Sequence, residues 1–94
     1  MRVNELVDLF KKHDDLYRGD LPGVRRKDLT AFNILDNLVP GKGDLVAATE
    51  HDEIFLGVSL TDLAASAITE AEVKMLVMCG VGIDSYGDSL HMFV

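Results

Sequence analysis

The chain is 94 residues long, 48% apolar and 27% charged, with a formal net charge of −7 and a single cysteine. That length is one domain, near the lower end of what folds on a single core, and the apolar fraction is too high for a disordered tail. Cys79, being alone, excludes an internal disulfide and any cysteine-based zinc site, and it fits a reducing compartment, the cytoplasm by default. The N-terminus turns polar within a few residues, and no apolar run approaches the roughly 20 residues that cross a bilayer, so the expectation is a soluble chain that is not exported.

The charge is divided by position. Residues 1–43 carry eight Lys/Arg against seven Asp/Glu, whereas residues 44–94 carry Lys74 alone against nine acids. Such a one-sided negative field favours basic partners and repels nucleic acid and membrane headgroups. Direct nucleic-acid binding is disfavoured further, because it rests on a net positive face, often with stacking aromatics, and the chain has only four phenylalanines and two tyrosines.

In chain order, Val3, Leu6, Val7 and Phe10 share one helical face and predict a first helix over about 4–16, with Asn4 available as its cap. Residues 18–28 mix glycine, proline and charge without apolar periodicity and read as an exposed connection. Asp28 is placed to cap a second helix over about 28–39, carried by Leu29, Phe32, Leu35 and Leu38 and stopped by Pro40-Gly41. From Leu45 the period shortens, and two β-prone runs flanking Thr49-Glu50-His51-Asp52-Glu53 predict a hairpin over about 45–58. Ser59 or Thr61 can start a brief helical turn through Ala65. Thr69-Glu70-Ala71-Glu72 is a capping-box pattern ahead of a third helix over about 70–79, with Gly80 as its C-terminal stop. Val81-Gly82-Ile83 and Leu90–Val94 then flank Asp84-Ser85-Tyr86-Gly87-Asp88, a second hairpin over about 81–94. The expected fold is α+β: a small two-layer domain in which an antiparallel four-stranded sheet packs against three helices, with two αββ units after residue 28. An apolar final strand left at a sheet edge invites pairing, so either it lies inside the sheet or a homodimer closes it.

No residue constellation fixes a reaction. His13, His51 and His91, with Asp52, Glu53, Asp84 and Asp88, are of the types that bind metal or shuttle protons, but their spacing matches no metal motif, and a solvated turn explains Asp84–Asp88 more simply. Alternation with Leu90 and Met92 places His91 on the other face of its strand, exposed. Cys79 sits among Leu76, Val77 and Met78, the surroundings of an inert packed thiol rather than a nucleophile. Pro40–Asp44 and Gly80-Val81-Gly82 lack the lysine and following helix of a phosphate loop.

Glu50-His51-Asp52-Glu53-Ile54, with Cys79-Gly80-Val81, Asp84-Ser85 and Asp88–Val94, resembles small uncharacterised proteins encoded in the accessory gene regions of tailed bacteriophages. The resemblance covers roughly residues 28–94 and brings no catalytic residues. It implies a non-catalytic protein directed at a host or defence factor. The leading expectation is therefore an acidic binder without metal or cofactor, acting in the host cytoplasm on a bacterial protein with a basic surface. Its contact residues are Glu50, His51, Asp52 and Glu53 in one turn and Asp84, Tyr86 and Asp88 in the other, and the two turns are expected to form one anionic rim. Two other readings stay open. One is an oligomer holding a small anion or nucleotide through Arg25, Arg26 and Lys27; the other is a small metal-dependent hydrolase built on His51, Asp52 and Asp84.

Overall fold

The computed structural model describes residues 1–16, 24, 26–41, 43–50, 52–83 and 89–93. The expected contact residues His51, Asp84, Tyr86 and Asp88, and Arg25 of the basic cluster, lie outside the described residues. The elements are α1 (Val3–Lys12), α2 (Lys27–Leu38), β1 (Val46–Glu50), β2 (Glu53–Ser59), α3 (Leu60–Ala65), α4 (Glu70–Met78), β3 (Val81–Ile83) and β4 (Ser89–Phe93). The fold is α+β, with both hairpins in a single antiparallel sheet of order β1-β2-β4-β3.

Among the described residues there are four helices where three were expected. The extra one is α3, whose brief turn is made a defined helix by the Ser59 hydroxyl accepting the Asp62 N–H at 3.1 Å. The capping box of α4 forms as its sequence requires: Thr69 Oγ1 accepts the Glu72 N–H at 3.3 Å, and Glu72 Oε1 accepts the Thr69 N–H at 3.0 Å. Gly80 ends that helix with φ 98°, a left-handed conformation that costs a residue with a Cβ about 1 kcal/mol. The other helix starts differ from expectation. Asp28 is not the cap of α2 but sits in its first turn, where a carboxylate complements the helix dipole. α1 begins at Val3 and stops at Lys12, because His13 leaves helical geometry to reach across to α4.

The sheet is covered on one face. Leu56 and Val58 of β2 and Leu90 and Met92 of β4 are buried, together with Leu6, Leu35, Leu63, Val73 and Leu76 of the helices. A fully buried leucine contributes on the order of 2 kcal/mol of transfer free energy, so this shared layer is what fixes the strand faces. The alternate residues Glu53, Phe55, Gly57, His91 and Phe93 are half-buried or exposed and make up the open face.

β4 lies between β2 and β3, so the final strand sits inside the sheet. The edge argument for a homodimer therefore does not apply to it. The edges are β3, a short strand packed on α1 and α4, and β1, all five residues of which are exposed.

Near that second edge, Gly57 is required for a steric reason. The Leu45 carbonyl accepts the Gly57 N–H at 2.6 Å, and a Cβ on Gly57 would stand 2.4 Å from the Asp44 carbonyl oxygen. Residues 44–45 thus cross directly over Gly57 before β1 begins. Gly57→Ala is expected to cost about 1–3 kcal/mol, because backbone rather than a flexible side chain must move. Gly43→Ala, where the added methyl meets nothing within 4 Å, is expected to change stability by less than about 0.5 kcal/mol. Urea midpoints for the two variants check this, and equal midpoints would show that residues 44–45 do not sit over Gly57.

Candidate functional site

The register of the sheet fixes which side chains meet on the open face. β1 pairs with β2 through Glu50↔Glu53 and Ala48↔Phe55, and β2 pairs with β4 through Glu53↔Phe93 and Phe55↔His91. Gly82 of β3 stands opposite His91. Residues directly opposite one another share a face, so the open side carries two rows. One is Glu50, Glu53, Phe93; the other is Ala48, Phe55, His91, Gly82.

A histidine–carboxylate pair links the rows. His91 Nδ1 lies 2.5 Å from Glu53 Oε1, with both side chains partly shielded. The imidazole also packs against Phe93, two residues on along the same strand face, with ring centroids 4.8 Å apart and the planes tilted by 58°. Gly82 makes room for that ring, since a Cβ there would come within 3.0 Å of His91 Nε2. A glycine inside a strand opposite an aromatic-type ring is a recognised pairing in sheets, the ring covering backbone that would otherwise be bare. The expected exposure of His91 is thus corrected: the face is as alternation predicts, but the ring is partly buried, set against Glu53, Phe93 and the Gly82 gap.

Glu50 is exposed and directly opposite Glu53. Among the described residues, the ion pairs are Lys12–Glu70, His13–Glu70 and His91–Glu53, so no cation of the described chain answers Glu50. Like charges placed directly across a strand pair destabilise it, by up to about 1 kcal/mol. Exposed Asp52 adds a third acid at this end of the hairpin.

The anticipated single rim does not follow from this topology. β2 runs from Glu53 beside Phe93 to Ser59 beside Ser89. Ile83 and Ser89, the strand ends that bracket residues 84–88, therefore stand toward the other end of the sheet from Glu50 and Glu53, with Ser89 four residues along β4 from the Glu53 partner Phe93, about 13 Å at the usual rise of a strand. The described strand ends that flank the two turns thus lie toward opposite ends of the sheet, because the inner strands of the two hairpins pair antiparallel.

The remaining candidates fall elsewhere. Arg26 is exposed just ahead of α2, and Lys27 opens that helix half-buried, so the described part of the basic cluster is a helix start. His51 and Asp84 of the metal-hydrolase reading are outside the described residues. Among the described residues no group of three or more His, Cys, Asp or Glu side chains is placed to hold a metal ion, and no helix is long and apolar enough to cross a membrane. Cys79 is buried, and loss of solvation pushes its thiol above the ordinary value, away from the reactive thiolate.

His13 and Glu70 form a second histidine–carboxylate pair, at 2.9 Å, with Lys12 adding a contact to the same Glu70 oxygen at 3.2 Å. It ties the end of α1 to the start of α4. His13 is the one charged or polar residue that the described core buries, and its bond to Glu70 satisfies it. The hydrogen bond from His13 and then that from Lys12 hold the Glu70 carboxyl below its ordinary value of 4.5. This pair is a clamp between helices and lies in the layer beneath the sheet, apart from the open face.

Comparisons with family models, with curated proteins and with solved structures return no match to this chain.

Two predictions follow from these contacts. A carboxyl whose folded value is depressed contributes stability that is present above its unfolded value and lost as pH falls through the folded one. Glu70→Gln is therefore expected to flatten the acid limb of the stability curve below about pH 4.5; an acid limb identical to that of the wild type would remove the clamp. Gly82→Ala is expected to displace the imidazole, seen as a change in the His91 ring resonances, with the protein still folded. Unchanged His91 resonances would place the ring elsewhere.

Proposed function

We propose that this protein is a non-catalytic acidic binder that captures a basic protein surface with the open face of its sheet at the Glu50–Glu53 end. The observation that supports this reading most directly is the row Glu50, Glu53, Phe93, in which two carboxylates face each other across β1 and β2 and an aromatic ring 42% exposed stands beside them. A guanidinium or ammonium group relieves the repulsion between the carboxylates and finds a ring to lie over, which is the usual recognition of a basic side chain on a protein surface. Desolvated contact with Phe93 and Phe55 supplies anchoring area, while the acids set orientation and speed encounter. The net charge of −7 works in the same direction at longer range and works against nucleic acid.

The contact set changes accordingly. Glu50, Asp52 and Glu53 stay from the expected residues, and Phe55, His91 and Phe93 join them. Phage origin, action in a host cytoplasm and a bacterial target belong to this proposal through the resemblance of residues 28–94, and the partner is then a bacterial protein with a basic patch. No cofactor enters the reading.

The proposal is tested by capture from bacterial lysate with the wild type, with Glu50→Lys/Asp52→Lys, and with Asp8→Lys on the far helix as a charge-matched control. The expected result is that the hairpin variant loses the captured protein while the control keeps it, and that recovery falls as salt rises from about 0.1 to 1 M. Equal recovery by all three proteins would place the contact elsewhere.

A further inference from the structure

We infer that the exposed edge of β1 accepts an extended, basic segment of the partner as a fifth strand, seating one of its arginine or lysine side chains beside Glu50. This rests on the acidic-binder reading and adds how the partner is held. The two edges of the sheet are not equivalent. β3 is three residues long, begins with buried Val81 and packs on α1 and α4, so it is short and covered. β1 is exposed at every position from Val46 to Glu50 and contains no proline, lysine or arginine, the residues that commonly guard an edge. Among the described residues no strand lies beside its outer backbone groups, because β1 ends the order β1-β2-β4-β3.

The register decides what such a strand meets. The bulge between Val46 and Ala48 leaves Ala48–Glu50 as the regular stretch, with Ala48 and Glu50 on the open face. A strand added there places alternate side chains on that face, level with these two residues. Ala48 is small and leaves room for a long neighbour; Glu50, already opposed by Glu53, gains a cross-strand partner of opposite sign. Charge also chooses among occupants. A second copy brings the same −7 to the seam, whereas a basic segment brings the sign that both the edge and the whole acidic half lack.

The test uses the full-length chain, isotope-labelled for amide detection, titrated with a capped peptide of alternating arginine and valine. Companion peptides carry glutamate for arginine, or N-methyl groups on one or the other alternate set of backbone nitrogens. The expected result is slowed amide exchange within β1, loss of binding for the glutamate peptide and for just one N-methylated peptide, and about tenfold weaker binding to Glu50→Lys. Binding that both N-methylated peptides retain, or perturbation centred away from β1, would show capture by charge alone; that overturns strand addition and leaves the acidic binder standing. Slowed exchange in β1 that rises with protein concentration without peptide would assign the edge to a second copy and overturn the inference. Failure of every peptide to bind overturns it as well, whereas loss of lysate capture through Asp52 alone, with Glu50→Lys unaffected, sinks the Glu50 seat in both proposals.

Discussion

The pairing of β2 with β4 holds this structure together. Each hairpin by itself is a two-stranded ribbon, which is marginal in water, and only the union of their second strands gives a sheet wide enough to carry a core. That union also fixes the faces. Once Ile54 stands opposite Met92 and Phe55 opposite His91, one set of alternate residues is committed to the helices and the other to the outside. The helical crossover through α3 and α4 returns the chain to β3 with room left between β2 and β3, and β4 fills it. β2 and β3 consequently run parallel with β4 between them, an arrangement that needs a connection of the length that the two helices supply.

The same pairing makes the sheet nearly symmetric in its connectivity: each hairpin puts its first strand at an edge and its second in the middle. Two inner strands running antiparallel are related by a two-fold axis, and the described strand ends follow it: Glu50 and Glu53 stand at one end of the sheet, Ile83 and Ser89 toward the other. The strand order by itself thus gives no support to a single rim. What the order provides instead is a two-row platform over four strands, with carboxylates near the open edge and the imidazole toward the covered one. The histidine is central to it. It engages the Glu53 carboxylate and packs, tilted, against Phe93, and so ties the two rows of the face together.

Local features of the sequence foretold the local structure well. α4 was legible because Thr69, Glu72 and Gly80 each perform a backbone-satisfying task at a fixed offset, and both hairpins were legible from runs of β-prone residues around polar reversals. α1 ended early because His13 is taken by Glu70, a residue 57 positions away that no window of the sequence contains. The strand order was not legible for the same reason: hairpin composition says which two strands are neighbours, but not how two hairpins join. The His91–Glu53 pair spans 38 positions and stayed hidden, although two clues were present. Gly82 inside a strand signals a close approach by something, and strict alternation from Leu90 to Phe93 puts His91 and Phe93 on one side.

Six acids of the second half separate into two groups of three once the fold is known, and the separation bears on function more than their number does. Asp62 lies in the first turn of α3, and Glu70 and Glu72 lie in that of α4, where carboxylates complement the helix dipole; Glu72 also closes the capping box, and Glu70 completes the interhelical clamp. For these three, stability of the fold is a sufficient reason. Among the described residues, Glu50 and Asp52 have no comparable use, and Glu53 serves His91 on the open face. They sit at the end of a hairpin, two of them directly opposed, one relieved by a histidine and one answered by no cation among the described residues. A neutral pair at that register would serve the sheet better, since opposed like charges cost stability that a threonine or valine pair would not. Residues that work against the fold at an exposed edge are the ones whose role is most naturally sought outside it, in the charge of whatever the open face meets.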